Sequence, residues 1–227
     1  MSVKNWVVNH KRESFHYVIA FILLVTLSFF LVKRGGFYIG KLVTYSEKHL
    51  GITTAIILSL FALKSVSFGL PYALLYFTVG TIYPLHIALL LNVVGIVINI
   101  QIPYFLGRNK GNTYVDSMVI KFPFLSKILI LKDRSQFIFT FVVKLIGKIP
   151  HEITNLMLGS LHIAWPTYVL ASILALLPTM VSTTLMAKNY QEPSSPIFII
   201  SLIIFIATPL LTFIYYYKNR DSSKEGE

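Results

Sequence analysis

The sequence has no cysteine. Disulfides, thiolate nucleophiles and cysteine-ligated metals are therefore excluded. Charge is scarce too. Charged residues are 13% of the 227, where soluble domains carry about 25%. Acids are scarcest, with 9 Asp and Glu against 20 Lys and Arg. No paired carboxylates, G-x-S-x-G or Walker A motif is present, so the sequence reads as a non-enzyme with no cofactor and no metal.

Apolar residues fill the space that charge leaves. They make up 55% of the chain, and the mean hydropathy is +0.71. Several stretches exceed the roughly 18 apolar residues that suggest a bilayer span. The chain thus reads as a multi-pass integral membrane protein of the cell membrane, most simply a bacterial cytoplasmic membrane.

The net charge is +11. Residues 33–50 carry Lys33, Arg34, Lys41 and Lys48 against Glu47, and residues 108–134 hold six basic residues against Asp116 and Asp133. Basic residues border the apolar runs, as the positive-inside bias and attraction to anionic headgroups both produce. That bias puts 1–16 and 108–134 on the cytoplasmic side. A nucleic-acid binder would need a basic face with a recognition motif, and neither is present.

A first span runs from about Tyr17 to Val32. Its flank "KRGG" lacks a cleavage site, which suits a retained signal anchor. Residues 37–50 mix aromatic, basic and apolar positions, as an interfacial helix does. A second span is expected over about Ile52–Leu70, with Lys64 inside it. Residues 112–134 alternate basic and apolar positions, as in a surface helix kinked or broken at Pro123. A last span, Ile197–Tyr217, ends in "YYY" and a charged tail. The expected division is 1–51 (anchor and interfacial helix), 52–190 (core) and 191–227 (last span and tail).

Within the core the chain repeats itself. Pro71 precedes Gly80 by nine residues, and Pro150 precedes Gly159 by nine. A lysine lies upstream of each proline, Lys64 and Lys144. Each block closes on a basic residue and asparagine, Arg108-Asn109 and Lys188-Asn189. Proline suits a helix start, and glycine permits a chain reversal. The expected unit is a half-helix from proline to a glycine turn, over 71–83 and 150–163. Such a segment cannot face lipid with its backbone groups unpaired. Paired interrupted segments in two halves point to a transporter-like binding site. The fold class expected is all-α: a polytopic transmembrane bundle, an inverted repeat with two re-entrant half-helix hairpins.

His151 and Glu152 stand in the middle of an apolar run. "HEITN" begins like a zinc-protease motif but ends in Asn155, not histidine. Two readings stay open. Glu152 pairs with Lys148 one turn away, or both residues line a polar cavity, since a carboxylate at membrane depth costs roughly 2.5–3.5 kcal/mol on insertion scales. Lys64 is either a snorkelling or pairing residue or a phosphate contact. Arg108 sets topology and meets headgroups. His86 and His162 read as interface or packed residues. Asn92, Asn99, Gln101 and Asn155 are placed to hydrogen-bond between helices.

The segments 69–111 and 139–178 resemble the VTT-domain family, also called DedA-like or SNARE-associated Golgi proteins. The resemblance spans about residues 52–190. It rests on Pro71, Gly80, Gly95 and "LGR" at 106–108, then on Pro150, Asn155, Gly159 and Pro178. It implies two facing re-entrant hairpins and transbilayer movement of lipids: undecaprenyl phosphate and other phospholipids in bacteria, scrambling in eukaryotes. Two departures stand out. Lys144 occupies a place where the family usually has arginine, so it offers a point charge instead of a fork. The DedA branch usually has an acid just after the first-hairpin proline; here Tyr72-Ala73 stand there, and the acid is Glu152 in the second hairpin. The expected substrate-binding and transport residues are Lys64, Pro71, Gly80, Arg108, Lys144, Pro150, His151, Glu152, Asn155 and Gly159. The expected partners are anionic membrane lipids, with a homo-oligomer compatible. A secondary transporter of a small solute or ion, and a membrane-organising protein that binds partners through 108–134, are the alternatives.

Overall fold

Pro71 and Pro150 each stand in extended conformation, with φ of −74° and −49°, immediately before a short helix. Proline has no N–H to donate, so a position just before or at the helix start costs it nothing. The carbonyl of Pro150 accepts from the Thr154 N–H at 3.0 Å, and that of Pro71 from the Leu74 N–H at 3.2 Å. Each proline thereby opens a helix of about half the length needed to cross a bilayer.

The computed structural model describes residues 49–67, 70–109, 112–121, 124–146 and 149–221. The expected signal anchor and the interfacial helix of 37–50 lie outside them, apart from the last two residues. The chain divides at His49/Leu50 into two compact units, and the fold below is that of the second. Its described residues hold only α-helices: α1 (Leu50–Lys64), α2 (Tyr72–Ile82), α3 (Leu85–Arg108), α4 (Asn112–Lys121), α5 (Phe124–Arg134), α6 (Gln136–Ile146), α7 (His151–Ser160), α8 (Trp165–Lys188) and α9 (Pro196–Asp221). Two of them, α3 and α8, are long and apolar enough to cross a membrane, with 24 residues each. Their ends fall where the basic-Asn pairs stand, and Asn109 and Asn189 are their C-caps.

Two expectations need correction, while residues 112–134 form two helices, α4 and α5, on either side of the break expected at Pro123, itself outside the described residues. The span expected over 52–70 is a helix of 15 residues that stops at Lys64. The glycines do not turn the chain. Gly80 and Gly159 lie inside α2 and α7, and the reversals come later, at Tyr83-Pro84 and at Leu161–Ala164. His162 takes the second reversal with a φ of 53°, a left-handed conformation uncommon for a residue with a Cβ.

The packing explains what the glycines do. The short helix of each half lies on the long helix of the other half: α2 on α8, and α7 on α3. The flanking helices pack on the long helix of their own half, α1 on α3 and α6 on α8. A Cβ on Gly80 would meet the Ala187 Cβ at 2.7 Å and the Thr184 carbonyl at 2.9 Å. A Cβ on Gly159 would run into the Tyr104 carbonyl and lie 3.0 Å from the Arg108 nitrogen. Thr184 and Ala187 stand 80 positions after Tyr104 and Gly107, so the two crossings use corresponding places. Gly107 completes the second crossing, since its Cβ would collide with the Leu156 carbonyl. Small residues at such crossings let backbones approach closely, which is how helices gain contact where no hydrophobic drive exists between them.

This packing sets a direct test. Gly159→Ala and Gly107→Ala each force backbone apart, and overpacking of this kind typically costs about 1–3 kcal/mol. Both variants are expected to melt at lower temperature in detergent. Gly51→Ala, whose Cβ would meet nothing within 4 Å, is expected to melt like the parent.

Candidate functional site

The N-terminal ends of α2 and α7 and the C-terminal ends of α1 and α6 bring polar side chains into an apolar interior. Lys64 is the last residue of α1, and Lys144 lies in the last turn of α6. Glu152 lies in the first turn of α7, where the helix dipole favours a negative charge. All three side chains are buried.

Lys64 forms a buried ion pair with Glu152, its Nζ donating to Oε1. The partners are 88 residues apart and belong to different halves of the repeat. Lys148, the local partner weighed for Glu152, lies outside the described residues. Lys64 also sits over the Tyr72 ring, 4.9 Å from its centroid, a cation–π distance. Tyr72 donates its hydroxyl to Asn99 Oδ1, and Asn99 donates Nδ2 to the Phe61 carbonyl at 2.9 Å. This network holds α1, α2 and α3 together around the lysine.

Lys144 is held differently. Its Nζ donates to Asn155 Oδ1, one turn beyond His151 on α7. It stands 5.6 Å from the Tyr168 ring centroid, and it is within electrostatic range of both Glu152 and Lys64. Its direct hydrogen-bond partner is therefore a neutral amide. Several buried polar atoms nearby have no hydrogen-bond partner among the described residues: Asn155 Nδ2, His151 Nδ1, Thr140 Oγ1 and Tyr76 Oη. Buried groups of this kind usually have a partner, and leaving one without costs about 1–3 kcal/mol. They form one neighbourhood. Thr140 precedes Lys144 by one turn, His151 precedes Asn155 by one turn, and Tyr76 stacks on Tyr72 at 5.6 Å. Tyr72 in turn meets the His151 ring edge-on at 5.5 Å.

Five of the ten expected site residues thus come together: Lys64, Lys144, His151, Glu152 and Asn155. Pro71 and Pro150 start the helices that carry them, while Gly80 and Gly159 sit at the helix crossings. Arg108 is exposed at the end of α3 and donates to the Tyr104 hydroxyl at 3.0 Å. Tyr104 stacks on Tyr168, their centroids 4.3 Å apart, so two rings lie between Arg108 and Lys144. His86 and His162 are exposed. Asn92 donates to Thr184 Oγ1 at 2.9 Å, and Gln101 accepts from the Trp165 indole at 2.8 Å. Both are contacts between helices, as their positions in apolar runs imply.

Sequence reasoning missed the aromatic members, Tyr72, Tyr76 and Tyr168. A signal existed for two of them. With the prolines aligned, Tyr72 stands where His151 stands in the second half, and Tyr76 where Asn155 stands.

No group of three or more His, Asp or Glu side chains that would hold a metal ion occurs among the described residues. What the cluster offers is cation and hydrogen-bond donors in a buried setting. The profile of the VTT domain matches residues 70–188, just over half of the chain, and the chain belongs to that family. Comparison with curated proteins and with solved structures returned no match. Membership and the two long apolar helices agree on a membrane protein.

The Lys64–Glu152 pair can be tested by breaking it. Removing one partner of a buried pair typically costs about 3–5 kcal/mol, whereas replacing both with apolar residues is often neutral. Lys64→Met alone is expected to lower the melting temperature sharply, and Lys64→Met with Glu152→Met to restore most of it. Equal losses in the single and double variants would show that the pair does not carry the stability of this region.

Proposed function

We propose that this member of the VTT domain family moves lipid, a phospholipid or a polyprenyl phosphate, across the bilayer as a flippase or scramblase. On this reading it is a multi-pass protein of the cell membrane and not an enzyme. Helices α2 and α7 are read as re-entrant half-helices of an inverted repeat. Their length, their proline starts and their reciprocal packing on α8 and α3 support that reading.

One observation carries the functional reading. A cluster with two lysines and one carboxylate is buried among apolar helices, with donors that lack partners among the described residues. Buried charge in a membrane protein is expensive, and residues that bear it mark ion and substrate pathways. An excess of cation and N–H groups fits a phosphate-bearing headgroup. The uncapped N-termini of α2 and α7, which make no side-chain cap hydrogen bond, favour an anion further. The apolar faces of α3, α8 and α9 suit the acyl or prenyl chains that such a headgroup would carry.

The experiment is transfer of a fluorescent anionic phospholipid between leaflets of liposomes that contain the purified chain. Transfer well above protein-free liposomes is expected, and Lys144→Ala is expected to slow it by about tenfold, the effect of some 1.4 kcal/mol at the rate-limiting step. Lipid transfer equal to that of empty liposomes, with uptake of inorganic phosphate into the same vesicles, would replace the lipid reading with a solute transporter.

A further inference from the structure

The two halves place different residues at the position that pairs with lysine. In the first half, Lys64 ends α1; the corresponding lysine of the second half is Lys144, 80 positions on. Glu152 is the second residue after Pro150, and the corresponding residue after Pro71 is Ala73. Lys64 reaches across to Glu152 in the other half. The reciprocal contact would run from Lys144 to position 73, and alanine has no carboxylate to offer. The helix crossings obey the same correspondence, Gly80 on Thr184 matching Gly159 on Tyr104. The asymmetry is therefore in the charges and not in the scaffold.

We infer that Lys144, with the unpartnered Asn155 Nδ2 and Thr140 Oγ1, forms an anion site that takes the singly charged phosphate of a phosphodiester headgroup in place of the carboxylate that the repeat lacks at Ala73. The inference rests on the lipid reading above and narrows its substrate class. Among the described residues, Lys64 is paired with Glu152, whereas the hydrogen-bond partner of Lys144 is the neutral Asn155 amide. Asn155 and Thr140 are fully buried, so their free Nδ2 and Oγ1 point to a partner inside the protein rather than to solvent. One ammonium is neutralised by one negative charge. A phosphodiester brings one charge. A phosphomonoester brings up to two, and the second would remain uncompensated in a buried site, where an unpaired charge is costly. Lys64 is then the structural lysine and Lys144 the receiving one.

Position 73 gives the test. The purified full chain in detergent is offered short-chain phosphatidylglycerol, phosphatidic acid and phosphatidylcholine, and the retained lipid is read by native mass spectrometry, with inorganic phosphate added as a competitor. Phosphatidylglycerol is expected to be retained over phosphatidic acid, whose second charge finds no partner, and over phosphatidylcholine, whose own ammonium already neutralises its phosphodiester. Inorganic phosphate is expected not to displace it. Ala73→Asp supplies the missing carboxylate and is expected to weaken that retention by about tenfold, equivalent to roughly 1.4 kcal/mol. The lipid-free Ala73→Asp protein should melt no lower than the parent, because its new charge meets Lys144. In a Lys144→Ala background the same aspartate should lower the melting temperature. Lys144→Ala should lose the preference and Lys144→Arg should keep it. Should Ala73→Asp fail to fold, the Lys144→Ala and Lys144→Arg pair decides. Retention unchanged in Ala73→Asp or Lys144→Ala, tighter retention of phosphatidic acid, or displacement by inorganic phosphate would each overturn the assignment. Lipid transfer in liposomes separates this outcome from the broader reading. Preferential retention without transfer leaves the site standing and removes the transport function. Transfer without the preference removes the site and leaves the function.

Discussion

A single carboxylate has to serve a protein interior that holds two lysines. Glu152 is buried, and so are Lys64 and Lys144. Coulomb attraction in such a setting is strong, but so is the desolvation that opposes it. The pair survives because its surroundings also contribute. The Tyr72 ring lies against the Lys64 ammonium, and the first turn of α7 favours the Glu152 charge. The location of the pair then constrains the fold. It ties the end of α1 to the start of α7, two elements from different halves, at the level where both half-helices begin.

The second constraint is steric and acts at the opposite ends of the same half-helices. Gly159 and Gly107 bring α7 and α3 together backbone to backbone, and Gly80 does the same for α2 against Ala187 of α8. Ion pair and crossings work on the same segments. The crossings fix how far each half-helix slides along its long partner, and that in turn fixes where its N-terminal residues stand. A shift of one turn, about 5.4 Å, would carry Glu152 out of reach of Lys64. The charged cluster therefore depends on glycines that touch none of its members.

Local features were legible in the sequence, and pairings across the chain were not. Prolines 71 and 150 announce helix starts, and basic-Asn pairs announce helix ends, because proline geometry and capping are properties of a few adjacent residues. The partner of Glu152 was not readable. The one-turn rule offered Lys148, while the residue that pairs lies 88 positions away. The glycines were misread for a physical reason: glycine serves both a sharp turn and a close helix crossing. Only the neighbour decides which, and here it is the backbone at Tyr104 and Leu156. Tyr72 was passed over because an aromatic residue in an apolar run carries no charge pattern of its own. Its role appears only once Lys64, Asn99 and His151 converge on it.

A repeat whose scaffold is matched and whose charges are not has a consequence for direction. Were both halves to carry lysine and acid, each lysine would be neutralised within the protein, and the interior would offer a ligand nothing but hydrogen bonds. With the acid in one half only, the first half is closed electrostatically and the second is open. The open half also holds the unpartnered Asn155 Nδ2 and Thr140 Oγ1, while the first half holds the unpartnered Tyr76 Oη. Tyr168 lies beside its lysine, and Tyr104 and the exposed Arg108 lie beyond. The Lys64 side offers no such series: α2 packs on α8, which carries Thr184 where α3 has Tyr104, and the hydroxyl of Thr184 is already engaged with Asn92 and the Met180 carbonyl. From the exposed Arg108 inward, the contacts run through two stacked rings to the buried Lys144. The charge asymmetry of the repeat thus gives the two lysines different surroundings, although the backbone of the two halves follows the same plan.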